Sequence, residues 1–318
     1  MNPKNIVVTG VSGYIGGQTA ITLKEAGHNV FGIDLRPLPK HLEPFVAQFY
    51  QTDFCSGRGL DIMANTGIDA VVHCAGTSLV GPSKINPQEY FHNNVGKTLA
   101  MLDSFLELEK RPRVIFSSSA SVYGNPVMTP CEEIDPVAPI SPYGQSKLMI
   151  EWFLESYAQA YGLDFVAFRY FNAAGADPEG RHGQEPGATH IVARALESLI
   201  NSTEFTCNGN EYDTKDGTCV RDYVHVDDIA SAHAVAVDIA VPPGIYNLGN
   251  SLGYSNLDVV KTVEEISGKT VNLKFGPARD GDPATLTANG VKFSDTTGWR
   301  PKYDLTNIIT HAWSWHNK

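Results

Sequence analysis

The residue types best suited to chemistry are a phenol and an ammonium that lie four positions apart. The stretch Tyr143-Gly-Gln-Ser-Lys147 falls in a helical pattern, and positions i and i+4 of a helix share one face, with Cβ atoms about 6 Å apart. The pKa of a phenol is about 10 in water, but a neighbouring cation stabilises the phenolate and brings a base within reach of neutral pH. The spacing predicts a tyrosine base assisted by a lysine, although an ordinary amphipathic helix start shows the same pattern.

A run of hydroxyl side chains stands at the end of the preceding predicted strand. Ser117-Ser118-Ser119 follows the β-branched stretch that begins at Arg113. Ligands in open α/β sheets bind beyond the carboxyl ends of strands. Ser119 is therefore the best candidate to bridge a substrate hydroxyl and Tyr143. Ser119, Tyr143 and Lys147 are the predicted catalytic residues, suited to removing a hydroxyl proton in step with hydride transfer.

The start of the chain predicts the hydride acceptor. Gly10-Val-Ser-Gly13-Tyr-Ile-Gly16 follows the first predicted strand and opens a helix, and such glycines permit a tight turn, a close pyrophosphate and close helix packing. Asp34 ends the second predicted strand, 18 residues after Gly16, where a carboxylate accepts the ribose hydroxyls of NAD and repels the 2′-phosphate of NADP. The pattern predicts NAD, although Arg36 is a nearby cation that would suit NADP, and a plain glycine turn is the alternative.

Alternating strands and helices must position these groups. The predicted strands of the first half are Asn5–Thr9, His28–Asp34, Val46–Thr52, Asp69–Cys74, Arg113–Ser117 and Asp164–Arg169. The predicted helices lie near Ile15–Ala26, Leu60–Thr66, Asn86–Glu109 and Tyr143–Tyr161. Several strands are apolar at successive positions, which is typical of a parallel sheet covered by helices on both faces.

The alternation breaks after Phe171. Asn172–Thr189 holds four glycines and two prolines, and turn residues of this kind mark a boundary. Beyond it, short strands are predicted near Phe205–Cys207, Tyr246–Leu248 and Val271–Phe275. The predicted fold class is α/β, a Rossmann-type doubly wound parallel sheet with a smaller C-terminal α/β substrate-binding domain. We expect an NAD-binding domain over residues 1–171 and a mainly substrate-binding domain over 172–318, with some segments returning to the first domain.

Composition narrows the classes of function. Of the 318 residues, 42% are hydrophobic and 19% are charged, which is enough apolar material for a sizeable core. A net charge of −11 disfavours nucleic acid as a partner.

Five scattered cysteines without CxxC spacing indicate reduced thiols. His73 and Cys74 are adjacent on a strand and point to opposite faces, so no metal site is predicted. Without a long apolar segment or a secretory pattern, we expect no membrane partner and a cytoplasmic location.

Motifs in both halves point to a known family. The GxxGxxG spacing of the glycine loop resembles that of extended short-chain dehydrogenases/reductases that act on nucleotide sugars. Further similar stretches are Phe116–Gly124, Ser141–Lys147, Arg169–Asn172, Asp216–His225, Tyr246–Gly249 and Arg279–Asp282. On these motifs the chain resembles the UDP-glucose 4-epimerases, within the NAD-dependent epimerases/dehydratases, over nearly its whole length.

The resemblance implies a role for each matching residue. NAD contacts are expected from Gly10, Gly13, Tyr14, Ile15, Gly16, Asp34, Asp53, Phe54, Ala75, Asn94, Tyr143, Lys147 and Phe171. Contacts with a UDP-sugar are expected from Ser119, Tyr143, Asn172, His190, Arg221, Arg279, Asp282 and Leu286. The residue types fit, because guanidinium forks match phosphate oxygens and a carboxylate suits ribose hydroxyls. For Arg221, an ion pair with Asp222 or Asp227 is the alternative.

Several positions depart from the family pattern. Thr77-Ser78 stands where many relatives carry a lysine, which puts one cofactor contact in doubt. His190 lies where relatives have an Asn-Asn-Leu pattern, and either donates to the substrate or caps a helix. Leu286 is of intermediate size at the position beside the sugar, so N-acetylated sugars stay an alternative. Asn289 stands where aspartate is usual.

The activity implied is that of an isomerase. It is the reversible C4 epimerisation of a UDP-hexose (UDP-glucose/UDP-galactose) through a transient 4-keto sugar with tightly bound NAD. The alternatives are a UDP-GlcNAc, UDP-pentose or UDP-uronate 4-epimerase. A sugar-nucleotide 4,6-dehydratase is disfavoured because Ala120-Ser121 stands where dehydratases carry Asp-Glu, and a non-catalytic NAD(H) sensor because it has no need of Tyr143 and Lys147. Family members pair the helices of Asn86–Glu109 and Tyr143–Tyr161 across a dimer, so a homodimer is expected.

Overall fold

Strands and helices alternate along the computed structural model, which describes residues 2–65, 67–279 and 281–318. The strands are β1 (Asn5–Thr9), β2 (Asn29–Asp34), β3 (Gln48–Gln51), β4 (Ala70–His73), β5 (Arg113–Ser119), β6 (Phe165–Tyr170), β7 (Asn172–Ala174), β8 (Phe205–Asn208), β9 (Val220–Arg221), β10 (Tyr223–His225), β11 (Gly244–Leu248), β12 (Tyr254–Ser255), β13 (Leu273–Gly276) and β14 (Thr285–Leu286). The α-helices are α1 (Tyr14–Glu25), α2 (Gly57–Asn65), α3 (Val80–Ile85), α4 (Pro87–Tyr90), α5 (Lys97–Leu106), α6 (Pro142–Tyr161), α7 (Ile191–Asn201), α8 (Val226–Asp238), α9 (Asn256–Ser267), α10 (Val291–Thr297) and α11 (Leu305–His316). Single 3₁₀ segments cover Lys40–Phe45 and Ala120–Val122, and Phe91–Gly96 is π-helical. None of the helices in these ranges is both long and apolar enough to cross a bilayer.

Seven strands form the main sheet, in the order β11-β6-β5-β4-β1-β2-β3. The pairs β1/β2, β2/β3, β1/β4 and β4/β5 are parallel. The chain moves outward from β1 to β2 and β3, then returns to β4 on the other side of β1. This reversal creates a crevice at the carboxyl ends of β1 and β4, which is where such sheets bind ligands. The predicted doubly wound parallel sheet is confirmed.

Helices cover both faces of this sheet because its central strands are apolar throughout. Ile6, Val7 and Val8 are all fully buried, although successive side chains point to opposite faces. On one face the core brings strand residues together with residues of α2, α5 and α6, including Val71, Phe116, Met63, Met101, Leu102, Phe105, Ile150 and Leu154. Another helix pair, α1 and α8, is joined by a buried hydrogen bond of 2.9 Å between Thr19 Oγ1 and His233 Nδ1.

The contacts divide the chain into two units. The first comprises residues 1–124, 137–169 and 230–246, and the second comprises 125–136, 170–229 and 247–318. The second unit contains three small sheets, β10-β7, β12-β9-β14 and β13-β8. Its core residues come largely from α7, α9 and α11, among them Leu196, Leu199, Val259, Val263, Ile308 and Ile309. The assignment of residues 1–171 to NAD and of 172–318 to substrate stays a prediction, because compactness does not show what a unit binds.

Three sequence-based expectations need correction. The strand predicted at Tyr246–Leu248 is not part of the smaller sheets: as β11 it forms the edge of the main sheet beside β6, a long-range pairing that has no local signal. The helix predicted over Asn86–Glu109 is interrupted by the π-helical stretch Phe91–Gly96, because helical periodicity does not reveal where bonds shift from i→i+4 to i→i+5. The boundary segment Asn172–Thr189 begins with a short strand, β7. Thr66, the last residue of another predicted helix, lies outside the described residues.

The close approach of α1 to the loop that precedes it yields a stability prediction. A Cβ atom at Gly16 would lie 2.2 Å from the carbonyl oxygen of Gly10, so the Gly16→Ala variant must displace the backbone. We expect a cost of about 1–3 kcal/mol, the usual range for overpacking, and a clear fall in Tm by scanning fluorimetry. Gly81→Ala in α3 is the control, since a Cβ there meets nothing within 4 Å and alanine favours a helix. A Gly16→Ala variant as stable as the parent would contradict this packing.

Candidate active site

The glycine loop between β1 and α1 forms a tight backbone turn. Gly10 has φ +73° and donates from its N–H to Ile33 O at 2.8 Å, while the Gly13 N–H donates to Gly10 O at 3.0 Å. A Cβ at Gly10 would lie 2.8 Å from the nitrogen of Ala75. Gly13 is the N-cap of α1, and no side chain caps this helix. The N-terminus of α1, which begins with the predicted residues Tyr14 and Ile15, is therefore suited to an anion such as a pyrophosphate.

The carboxylate of Asp34 lies against the same loop. Its Oδ2 accepts a hydrogen bond from the Ser12 N–H at 3.0 Å, and its Oδ1 accepts one from the Arg36 N–H at 2.9 Å. Arg36 Nε lies 3.8 Å from Oδ1, on an exposed side chain. Each carboxylate oxygen keeps further acceptor capacity, which is what a ribose diol requires. The loop and this carboxylate fit the dinucleotide predicted from the sequence.

Asp53 and Phe54, the next predicted cofactor residues, follow β3. Asp53 Oδ2 lies 2.7 Å from Lys97 Nζ, and Oδ1 accepts the Cys55 N–H at 3.0 Å. Partial burial would raise the pKa of Asp53, but these two partners outweigh it and hold the pKa below its usual value. The carboxylate thus stays charged at neutral pH. Phe54 is buried and places its ring edge-on to His73, with centroids 4.8 Å apart.

Asn94, in the π-helical stretch, links the segment after β4 to α6. Its Oδ1 accepts the Thr77 N–H at 2.7 Å, and its Nδ2 donates to Thr77 O and to Ser146 Oγ, both at 3.0 Å. Ala75, which precedes this segment, donates from its N–H to Thr9 Oγ1 at 3.3 Å. Thr77, one of the residues that depart from the family pattern, therefore has a structural role of its own.

His73, at the end of β4, forms hydrogen bonds with two threonines through its two ring nitrogens. Its Nδ1 lies 2.8 Å from Thr9 Oγ1 and its Nε2 lies 2.9 Å from Thr98 Oγ1. Burial, together with the charge of Lys147, lowers the pKa of His73 to about 3. This imidazole is neutral and both of its nitrogens are engaged, so its role is to join β1, β4 and α5. Within residues 2–65, 67–279 and 281–318, no three His, Cys, Asp or Glu side chains are grouped to hold a metal ion.

The first predicted catalytic pair, Ser119 and Tyr143, lie close enough for the Ser119 hydroxyl to favour the phenolate form of Tyr143. Ser119 Oγ also accepts from the Ser121 N–H at 3.2 Å and from Ser121 Oγ at 2.9 Å. A serine hydroxyl has two acceptor positions and one proton. With both positions taken by Ser121, the Ser119 proton remains to be donated, and the oxygen of Tyr143 is the acceptor that the proposed chemistry requires. Burial raises the pKa of Tyr143, and the Ser119 hydroxyl opposes that rise by favouring the phenolate.

Lys147 completes the predicted group one helical turn further along α6. Its Nζ donates to Ser117 O at 2.7 Å and lies 4.9 Å from the centroid of the Phe116 ring and 5.8 Å from that of the Tyr143 ring. Burial lowers the pKa of this ammonium to about 8, against the opposing effects of Cys74 and Glu151. The structure thus brings together the hydroxyl of Ser119, the phenol of Tyr143 and the buried cation of Lys147.

In the second unit, the strand pair β9/β14 brings three predicted substrate residues together. Arg221 is the register partner of Leu286, and its Nη2 lies 3.6 Å from Asp282 Oδ1. Its Nη1 donates to Val220 O at 2.8 Å. The alternative of an ion pair with Asp222 or Asp227 is thus not what is seen; the partner is Asp282.

Asp222 explains why these residues stand where they do. This buried carboxylate accepts the N–H groups of Asn250 at 2.7 Å, Ser251 at 2.9 Å and Ala288 at 3.1 Å. Its backbone bonds Asn172 as well, since the Asn172 N–H donates to Asp222 O at 2.9 Å. Burial raises the pKa of Asp222 to about 6, although the three N–H donors oppose the rise. The carboxylate holds the strand of Arg221 between the flanking loops.

The remaining predicted substrate residues differ in their surroundings. With the Asn208 amide oriented to suit its neighbours, its oxygen accepts from Arg279 Nε and Nη2, both at 3.0 Å. The turn from Arg279 to Asp282 is closed by a 3.1 Å backbone hydrogen bond, while Asp280 lies outside the described residues.

His190 is at the N-cap position of α7, but its side chain makes no cap hydrogen bond. Asn289, another departure, donates from Nδ2 to Glu132 Oε1 at 3.1 Å.

Phe171, a predicted NAD contact, is buried in the second unit, and its N–H donates to Leu248 O at 3.1 Å.

Three residues of the site were not predicted from the sequence. Two of them, Ser121 beside Ser119 and Lys97 beside Asp53, had no pattern that would single them out. Glu151 did have one, because it follows Lys147 by four residues on the same helix.

Comparison with known proteins agrees with this geometry. Residues 6–249 match the model of the NAD dependent epimerase/dehydratase family. The chain is 39% identical to the UDP-glucose 4-epimerase of Halalkalibacterium halodurans, over 98% of this chain and 96% of the relative. A crystal structure of the Brucella ovis UDP-glucose 4-epimerase in complex with NAD superposes with a TM-score of 0.92 at 35% identity, covering 98% of each chain. The Bifidobacterium longum UDP-glucose 4-epimerase, in complex with NAD⁺ and UDP, superposes with a TM-score of 0.91 at 32% identity, again over 98% of each chain.

These similarities extend over nearly the whole chain. The chain belongs to the NAD dependent epimerase/dehydratase family, among relatives named UDP-glucose 4-epimerase.

Proposed function

We propose that this protein is an isomerase that catalyses the reversible C4 epimerisation of a UDP-hexose, interconverting UDP-glucose and UDP-galactose. One observation carries the proposal: Tyr143 lies beside the buried ammonium of Lys147 and near the Ser119 hydroxyl, which favours the phenolate, in the unit that also contains the glycine loop. The relatives named UDP-glucose 4-epimerase, which include structures with NAD and UDP, support it.

The chain's own residues supply the proton chemistry. Tyr143, as phenolate, takes the proton of the sugar 4-hydroxyl, and the same phenol returns a proton to the 4-oxygen after the keto sugar has turned over. Ser119 donates to the phenolate oxygen, and Lys147 stabilises its charge. NAD, when bound by the glycine loop and Asp34, supplies the acceptor and donor of the C4 hydride. Since hydride is returned, no external reductant is consumed.

Turnover of a keto sugar requires a firm hold on the nucleotide and a loose hold on the sugar. Arg221 and Arg279 in the second unit are suited to the diphosphate, because guanidinium groups form paired hydrogen bonds with phosphate oxygens. Asp282 is suited to a ribose diol, and Leu286 offers only apolar contact to the sugar. Elimination is disfavoured because Ala120 stands where a dehydratase needs an acid, and Ser121 is committed to Ser119.

Incubation with UDP-glucose, without added NAD, tests the reaction and the retention of the cofactor together. We expect UDP-galactose to appear in the NMR spectrum. A parallel incubation with UDP-GlcNAc examines the alternative that Leu286 leaves open, and a faster reaction there would move the assignment to the N-acetylated sugar. If neither sugar reacted, even with added NAD, the hexose proposals would be wrong and UDP-pentoses and UDP-uronates would be next.

Tyr143→Phe removes the proposed base and keeps the ring. We expect kcat to fall by about 10²–10⁴, the usual contribution of a general base, with little change in Tm. Tyr161→Phe is the matched control, because Tyr161 lies at the exposed end of the same helix. Equal losses in both variants would mean that the effect is structural.

The pH dependence follows from Lys147. Its ammonium, with a pKa of about 8, is present at lower pH and is lost as the pH rises through that value. Because the charge stabilises the phenolate, we expect kcat to decline on the alkaline side of about pH 8. Lys147→Arg stays protonated, so its lower kcat should persist to higher pH. A parent enzyme with a flat profile from pH 7 to 10 would count against this role.

We also propose that the protein is a homodimer paired through α5 and α6, and that it works in the cytoplasm. Trp152 on α6 leaves about half of its surface exposed, and an interface would cover aromatic surface of this kind. Within the described ranges no disulfide is formed, which suits a reducing compartment.

Light scattering at micromolar concentration tests the dimer. We expect twice the 34.5 kDa chain mass for the parent, and the chain mass for Trp152→Asp, which places a charge in the proposed interface. Val127→Asp, at a fully exposed apolar position in the second unit, is the control and should remain dimeric. A monomeric parent would refute the proposal.

A further inference from the structure

A second set of buried polar groups lies behind the proposed catalytic residues. Glu151 is completely buried and Arg169 is 3% exposed. Arg169 Nε donates to Glu151 Oε1 at 3.0 Å, and Nη2 donates to Oε2 at 2.8 Å. The pair is therefore bidentate, the strongest geometry available to an arginine and a carboxylate.

Two hydroxyl groups complete this network. Ser118 Oγ donates to Glu151 Oε1 at 2.5 Å. Arg169 Nη1 donates to the hydroxyl of Tyr123 at 2.9 Å, and its guanidinium carbon lies 4.8 Å from the Tyr123 ring centroid. Charges buried in this way persist only when their partners satisfy them.

The position of the network connects it to the proposed chemistry. Ser118 lies between Ser117, whose carbonyl accepts from Lys147, and Ser119, whose hydroxyl favours the phenolate of Tyr143. Glu151 follows Lys147 by one helical turn on α6. The network therefore fixes the end of β5 against α6 at the point where both elements carry catalytic groups.

We propose that Glu151 is a positioning residue, held by Arg169 and Ser118, which fixes the backbone of residues 117–119 against α6 and keeps the ammonium of Lys147 charged. The inference rests on the proposed function, because it concerns the same tyrosine and lysine. A pair retained only for packing would be replaceable by apolar side chains of similar size.

The groups that face Lys147 come from β5, from the end of β4 and from α6. The Ser117 carbonyl and the Phe116 ring approach it from β5, His73 and Cys74 from the end of β4, and Tyr143 and Glu151 from its own helix. His73 is neutral, and burial raises the pKa of the Cys74 thiol to about 11, so Glu151 carries the negative charge in this set at neutral pH. Its effect is to raise the pKa of Lys147 against burial.

The test compares Glu151→Gln with variants that separate charge, geometry and stability. In Glu151→Gln the charge of Arg169 is no longer balanced, so Lys147 should lose its proton at lower pH. We expect kcat to fall about tenfold to a hundredfold, as for small misplacements of catalytic groups. The KM for UDP-glucose should stay within about twofold, and the alkaline limb of the kcat–pH profile should shift to lower pH by about one unit. Ser118→Ala, which leaves the ion pair intact, should lower kcat by several-fold without moving that limb.

Two further variants control for folding. Glu155→Gln is the same substitution one turn further along α6, at an exposed position, and should leave kcat unchanged. Glu151→Met/Arg169→Met removes both charges and fills the space, so it should fold even if Glu151→Gln does not. We expect this double variant to regain the parent's Tm but not its kcat. Parent-like kcat and pH profile in the double variant, or parent-like kcat in Ser118→Ala, would overturn the proposal.

A readout without substrate separates this inference from the proposed reaction. The ultraviolet titration of each protein, minus that of its Tyr143→Phe counterpart, follows the phenolate of Tyr143. Lys147, with a pKa of about 8, is already neutral in both proteins where the buried phenol, with a raised pKa, titrates. We therefore expect the Glu151→Gln curve to move to lower pH, because the uncompensated charge of Arg169 favours the phenolate. If the parent did not epimerise UDP-glucose but this curve still moved, the proposed reaction would be wrong and the positioning role would stand. An unmoved curve in a folded Glu151→Gln variant would refute the role, whatever the activity.

Discussion

The buried ammonium of Lys147 is the constraint around which the first unit is arranged. A cation removed from water is tolerated only where acceptors and opposite charges replace the water it has lost. The Ser117 carbonyl, the Phe116 ring and the carboxylate of Glu151 do so. The first two belong to β5 and require that strand to keep its register with α6, and Glu151, which lies on α6 itself, is held to β5 by the Ser118 hydroxyl. Packing of the helix on the sheet and preparation of the phenol for proton transfer therefore depend on the same few contacts.

In both units, a polar side chain near the proposed site accepts hydrogen bonds from neighbouring groups, and these bonds hold it in one orientation. In the first unit, Ser121 fills both acceptor positions of Ser119 and leaves its proton for Tyr143. In the second, three backbone N–H groups donate to the Asp222 carboxylate, and these bonds hold the strand that carries Arg221. Preorganised polar groups of this kind need little rearrangement when a ligand binds.

The sequence was most informative where signals are local. The glycine loop, the apolar strands near Val7 and Val71, and the four-residue spacing of Tyr143 and Lys147 predicted the doubly wound sheet and brought the catalytic candidates onto it. Long-range choices had no such signal: nothing in Tyr246–Leu248 shows that it pairs with β6 rather than with the small sheets. The partner of Arg221 depended on a turn sixty residues away, and the role of Ser121 depended on hydrogen-bond directions that no residue pattern encodes.

The edge strand β11 has a consequence for the order in which the protein matures on the ribosome. Six of the seven strands of the sheet lie within the first 170 residues, whereas this strand is made after residues 170–229 of the other unit. Until residue 248 emerges, β6 is an open edge with unpaired backbone groups, the kind of surface that recruits strands from other chains. The sheet that carries the glycine loop is thus closed only after much of the second unit has been synthesised.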